Sequence, residues 1–90
     1  MSWFEQKRIF LDYAAATPVL PEVRQVMEKY WSRDFYNPSA IYEEGLKIKK
    51  EVVEWRGRVA RILGVSSKGV IFTSSGTESD NLAILGAFEE

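Results

Sequence analysis

The sequence predicts a helix-rich α/β arrangement with two short strands, and three observations carry that prediction. Residues 21–31 and 40–63 space their apolar side chains at the three- and four-residue steps of amphipathic helices. Residues 8–12 and 69–73 are short runs rich in Ile, Val, Leu and Phe, each followed by small or turn-forming residues. The second run enters Ser74-Ser75-Gly76-Thr77, and a further helical segment follows, the strand–turn–helix order of an α/β unit.

Composition sets limits on the chemistry. Ninety residues with 46% hydrophobic and 28% charged side chains are globular in character. A domain of this size buries roughly 60% of its unfolded surface. A formal net charge of -1 gives no electrostatic basis for binding nucleic acid or an anionic membrane. With no cysteine and no histidine, the chain lacks disulfides, a thiolate nucleophile, an imidazole base and the usual zinc ligands. No N-terminal apolar run resembles a signal peptide and no stretch approaches a membrane span, so the expected location is the cytoplasm.

Taken in order, residues 2–7 form a polar leader that carries Trp3 and Phe4. Residues 8–12 are the first strand, and Tyr13-Ala14-Ala15-Ala16-Thr17-Pro18 is a connection of small side chains closed by proline. Pro21 suits the first turn of a helix, and Val23, Val26, Met27, Tyr30 and Trp31 make one apolar face expected to pack in a core. Asn37-Pro38 marks a loop, with Ser39 as the expected cap of the long helix 40–63. In that helix Ile41, Gly45, Ile48, Val52, Trp55, Val59 and Ile62 form a narrow stripe. The opposite face interleaves Lys and Arg with Glu and reads as solvated. Gly57 costs about 1 kcal/mol against Ala inside a helix, which suits a bend or a close contact there. Gly64 is the expected C-terminal cap.

The turn before the last helix is the candidate site. The first amides of a helix have no partner within it, and the macrodipole leaves partial positive charge there. Gly76 lets the backbone come close to an anion, and Ser74, Ser75 and Thr77 add hydroxyls, so the turn could hold a phosphate. Capping explains the same residues, with Thr77 and Asp80 resembling a capping box. The turn matches neither common glycine-rich phosphate motif. The helix it opens is apolar on every side through Leu82, Ala83, Ile84, Leu85, Ala87 and Phe88. Such a helix needs neighbours that ninety residues hardly provide, and the expectation is a piece of something larger.

Three separated stretches then agree on a family. They are Leu11-Asp12-Tyr13-Ala14-Ala15-Ala16-Thr17-Pro18, Asn37-Pro38-Ser39-Ala40-Ile41-Tyr42-Glu43-Glu44-Gly45, and Ile71-Phe72-Thr73-Ser74-Ser75-Gly76-Thr77-Glu78-Ser79-Asp80-Asn81. In this order and spacing they resemble the N-terminal part of cysteine desulfurases of the NifS/IscS type. These are class V aminotransferase relatives with the fold-type-I architecture that binds pyridoxal 5′-phosphate. The resemblance runs from about residue 9 to residue 87. It implies an enzyme that takes sulfur from L-cysteine, leaving alanine and an enzyme persulfide for iron–sulfur cluster assembly or other sulfur transfer. It implies cofactor-binding roles for Gly76 and Thr77, through both backbone amides and the Thr77 hydroxyl, with Ser75 a weaker candidate. The segment Ala14-Ala15-Ala16-Thr17 resembles one that lies near the substrate entrance. By the same resemblance, residues 1–35 belong to the small domain, 36–64 hold the long connecting helix, and 65–90 begin the large cofactor-binding domain.

The resemblance also says what this chain does not carry. The Schiff-base lysine, the aspartate on the pyridine nitrogen, the residue stacked on the ring, the carboxylate-binding arginine and the catalytic cysteine all come later in the family's chain. None of Lys7, Lys29, Lys47, Lys49, Lys50 and Lys68 has the apolar setting that imine chemistry needs. No catalytic residue and no metal ligand is therefore assigned here, and most of the cofactor's binding falls to a complementary C-terminal portion. A homodimer and a sulfur-acceptor protein are the further partners implied. One departure stands out. Many relatives have a histidine where this chain has Tyr42; a tyrosine does not replace an imidazole in proton transfer at neutral pH, and the other reading is that the position packs against or caps the long helix. The other readings are another class V aminotransferase, a selenocysteine lyase, or a non-enzymatic interaction domain.

Overall fold

A computed structural model describes residues 7–89, so the expectations on Trp3 and Phe4 lie outside the described residues. The elements in order are helix α1 (Pro21–Ser32), helix α2 (Glu43–Leu63), a 3-10 turn (Ser67–Gly69) and helix α3 (Gly76–Phe88). The chain divides into two compact units between Phe35 and Tyr36.

The first unit holds a turn and α1. The expected strand at 8–12 does not form. A strand requires a partner to take its amides and carbonyls, and none lies alongside this run among the described residues. Instead the chain closes a turn in which the Ala15 amide donates to the Asp12 carbonyl at 3.0 Å. The Phe10 and Tyr13 rings meet edge to face, 5.2 Å between centroids. Helix α1 starts where the sequence places it, with Pro21 in its first turn and no side-chain cap from Leu20. Its apolar face is not a core here: Val23, Val26, Met27 and Trp31 are all exposed. Among the described residues the unit has no second layer to cover them. Arg24 and Glu28 pair at 3.5 Å one helical turn apart, an exposed contact worth less than about 1 kcal/mol.

The second unit is organised on α2. This helix begins at Glu43, three residues later than expected, because Asn37 captures the preceding backbone for a turn of its own. The Asn37 side-chain oxygen accepts from the Ser39 amide at 2.8 Å, and its carbonyl accepts from the Ala40 amide at 3.0 Å. Ser39 is thus part of that turn and not a cap. Tyr42 takes the capping position with extended backbone and no side-chain hydrogen bond to the helix. Its ring meets that of Tyr36 edge to face at 6.5 Å.

The turn lies directly on Gly45. A Cβ placed there would meet the Asn37 carbonyl oxygen at 2.7 Å and the Ala40 Cβ at 2.8 Å. Gly45, Ile48 and Ala60 are the buried residues of α2, so the predicted stripe is only partly covered. Gly57 meets nothing within 4 Å, and the close contact expected of it is absent. At the C-terminal end Gly64 adopts the left-handed conformation, φ 70°, and the Val65 amide returns to the Ala60 carbonyl at 3.0 Å.

After the 3-10 turn, residues 70–73 run without the ladder expected of them, although Val70 keeps extended backbone angles. A single extended segment has no ladder to join, and both expected strands therefore appear as irregular backbone. What ties residues 70–73 to α2 is a cleft that includes Val53, Arg56, Lys68 and Val70, with the Arg56 guanidinium 5.1 Å from the Phe72 ring centre. No described helix is long and apolar enough to cross a membrane.

Candidate functional site

The site is the junction of residues 73–79, and its geometry follows from which polar group takes which orphan amide. Ser75 has fully extended backbone, φ -165° and ψ 164°, and is the N-cap of α3. Its Oγ accepts from the Glu78 amide at 3.1 Å, and its carbonyl accepts from the Ser79 amide at 3.1 Å. In return the Glu78 carboxylate reaches back over the turn. Its Oε2 accepts from the Ser74 amide at 3.0 Å and also from the Ser74 hydroxyl. Thr73 Oγ1 reaches the Ser75 carbonyl at 3.0 Å and Ser79 Oγ at 2.5 Å, bracing the entry side of the turn.

The cap is therefore Ser75, whose hydroxyl takes the Glu78 amide three residues on, and not Thr77 with Asp80, while the Glu78 carboxylate returns to Ser74, one residue before the cap. Asp80 fails in the expected role because the helix already starts at Gly76, which puts Asp80 beyond the first turn. The signal was legible: Ser75-Gly76-Thr77-Glu78 has the S-x-x-E spacing of a capping box. Asn81 Nδ2 donates to the Thr77 carbonyl at 2.8 Å, one turn along the helix.

These contacts leave a defined remainder. The amides of Gly76 and Thr77 are the first two of the helix, and neither finds an acceptor among the described residues. Neither does the Thr77 hydroxyl, and all three donors are exposed. The Ser75 amide lies beside them at the extended cap position, and the Ser75 hydroxyl, which accepts the cap bond from the Glu78 amide, keeps its own proton as a donor. No side chain crowds the approach, since a Cβ built on Gly76 would meet nothing within 4 Å. Two backbone amides and one hydroxyl at the positive end of a helix form a donor set that suits a phosphate. The residues present fit the phosphate end of pyridoxal 5′-phosphate. They offer nothing to its ring. Among the described residues no group of His, Cys, Asp and Glu could hold a metal ion.

Hydrogen bonds from the Ser74 hydroxyl, and then from its amide, hold the Glu78 carboxyl below the ordinary glutamate range, with desolvation opposing them. The sign of the pH effect follows. The clasp is fully formed above the unfolded glutamate pKa, about 4.3, and is lost as pH falls through the lower folded value. Carboxyl-carbon NMR of Glu78 should show a midpoint below the usual glutamate value, with the Ser74 amide shifting at the same midpoint. A midpoint at or above the usual value would contradict the clasp.

Comparison with known proteins places this geometry in context. The family model described as aminotransferase class-V matches residues 9–90. A cysteine desulfurase IscS of Dictyoglomus turgidum is 41% identical over 81 residues, which is 90% of this chain and 21% of that protein. The cysteine desulfurase IscS of Rickettsia akari is 46% identical over 79 residues, covering 87% of this chain and 19% of the relative. That of Methanosarcina thermophila is 44% identical over 82 residues, 91% of this chain and 20% of its own length. The chain thus spans about a fifth of the length of the curated relatives it matches. No solved structure matches it.

Proposed function

The chain belongs to the aminotransferase class-V family, and from that premise we propose that it is the N-terminal portion of a cysteine desulfurase and supplies the phosphate grip for pyridoxal 5′-phosphate. The complete enzyme takes sulfur from L-cysteine, releases alanine and passes the sulfur on as a persulfide to an acceptor protein. When bound, the cofactor supplies the electron sink for the substrate's reacting carbon.

The role of this chain is binding and orientation. The Gly76 and Thr77 amides and the Thr77 hydroxyl take the phosphate, and the dipole of α3 adds favourable charge. Holding one end of a flat cofactor fixes where its other end reaches, which is the contribution of position to catalysis. The reacting groups come from elsewhere, because a chain with no cysteine and no histidine cannot furnish the sulfur-accepting thiolate or an imidazole base. The partners in this reading are the complementary C-terminal portion, a second copy in a homodimer and a sulfur acceptor, all in the cytoplasm. The division assigns residues 1–35 to the small domain and 65–90 to the start of the large one. The desulfurase reading is preferred to another class V aminotransferase or a selenocysteine lyase because the relatives cited above are named as cysteine desulfurases.

The observation that carries the reading is the set of unspent donors at Gly76 and Thr77, at a turn within the stretch that the family model matches. Mixing this chain with the complementary C-terminal portion and pyridoxal phosphate tests it. The expected result is a pyridoxal absorbance band and sulfide release from cysteine that neither part gives alone. No band and no association would overturn the reading.

A further inference from the structure

The Ser74 clasp is not needed to cap α3, since the Ser75 hydroxyl already takes the Glu78 amide. The Glu78 carboxylate instead engages a residue that lies before the helix. We propose that Glu78 is a positioning residue for the phosphate grip: by holding the Ser74 amide and hydroxyl, it withdraws Ser74 from the donor set and fixes the turn so that Gly76 and Thr77 face the anion. This rests on the phosphate role proposed above and adds a specific residue to it.

The physical case is one of competition. A turn with several serine hydroxyls and several free amides can hold an anion in more than one register. Each hydrogen bond made within the turn removes one of those registers. Thr73 braces the Ser75 carbonyl, Ser75 caps Glu78, and Glu78 holds both donors of Ser74. What remains are the Gly76 and Thr77 amides and the Thr77 hydroxyl, with the Ser75 donors beside them and those of Ser74 withdrawn. Glu78 is itself an anion, so its charge opposes a phosphate while its geometry favours one. The lowered carboxyl pKa agrees with a carboxylate already engaged by donors at neutral pH. Charge and geometry are separable, because glutamine keeps the accepting oxygen and drops the charge, whereas alanine removes both.

The test uses the holoenzyme that contains this chain, with the affinities for pyridoxal phosphate and for pyridoxal, which lacks the phosphate, measured side by side. The bound cofactor's phosphorus NMR signal is recorded as a second readout. Glu78→Ala is expected to reduce the preference for the phosphorylated form about tenfold, on the scale of one lost hydrogen bond to a charged group. Glu78→Gln should stay within about twofold of wild type, since it keeps the acceptor. The phosphorus signal should shift in the alanine variant and hold in the glutamine variant. Ser74→Ala, which removes only one of the two clasp donors, should reduce the preference in the same direction by about threefold and keeps the test decisive if the alanine variant at 78 does not fold. Equal loss of affinity for both ligands would make Glu78 merely structural and overturn the proposal. So would an unchanged preference, or a gain in both variants, which would mean that charge alone matters. A wild-type enzyme with no preference for the phosphorylated form would overturn the phosphate role of the turn itself.

Discussion

Replacing Gly76 with proline should cost the assembled enzyme most of its preference for a phosphorylated cofactor while leaving α3 intact. Proline is well suited to the first helical position, where its missing amide breaks no intrahelical bond. The residue before it must be extended, and Ser75 already is, with φ -165° and ψ 164°. The substitution therefore removes one donor from the proposed grip and sets the pyrrolidine ring where the anion would approach, without breaking the helix. Loss of an amide that bonds to a charged group corresponds to about tenfold or more in affinity. Equilibrium dialysis with pyridoxal phosphate and with pyridoxal would read it. Pyridoxal affinity should be unchanged, and equal weakening of both would point to a folding defect instead. Thr77→Val should act in the same direction through the hydroxyl.

The second large effect is expected at Gly45. An alanine there places its Cβ 2.7 Å from the Asn37 carbonyl oxygen and 2.9 Å from that of Ala40, so backbone on one side must move. Overpacking of this kind costs about 1–3 kcal/mol. It should also release the Ala40 amide from the Asn37 carbonyl, which amide exchange would detect. Gly57→Ala is the matched control. It adds the same methyl to the same helix where nothing lies within 4 Å. There the intrinsic preference for alanine should raise helix stability by up to about 1 kcal/mol. Denaturation followed by helical circular dichroism should separate the two variants in opposite directions. Destabilisation of equal size by both would remove the special role of the Gly45 contact.

The two glycines show how far the sequence could be read. Both lie in one helix, and only the stripe position, Gly45, has a reason in the fold. Periodicity located α1 and α2, and the turn before a continuous apolar run located α3, because each helix carries its own backbone hydrogen bonds; Pro21 and Gly64 marked two of the ends through local chemistry. The strands at 8–12 and 69–73 were not legible in the same way. Strand formation depends on a neighbour that supplies the other half of the ladder, and the described residues contain none. The start of α2 was missed because Asn37 builds a local turn that competes with the helix for Ser39 and Ala40.

The candidate site divides along similar lines. Family resemblance implies Gly76 and Thr77 as the donors, and theirs are the first two amides of α3, which no described residue accepts from. The clasp is less legible, because Thr77 with Asp80 has the same three-residue spacing as Ser75 with Glu78, and only the start of α3 at Gly76 decides between them. The exposure of Leu82, Ile84, Leu85 and Phe88 on α3 accords with the expectation that this helix needs neighbours the described residues do not supply. Such surface is what a large complementary portion would cover in the proposed enzyme.

The central claim is that this turn grips the cofactor by its phosphate, and amide NMR tests it most directly. The chain would be labelled with nitrogen-15, assembled with its complementary portion, and titrated with pyridoxal phosphate and then with pyridoxal. The account predicts that the Gly76 and Thr77 amides shift most with the phosphorylated cofactor and little with pyridoxal, while the Ser74 amide stays in place. Amides at 76 and 77 that do not move, or that move equally with both ligands, would contradict it.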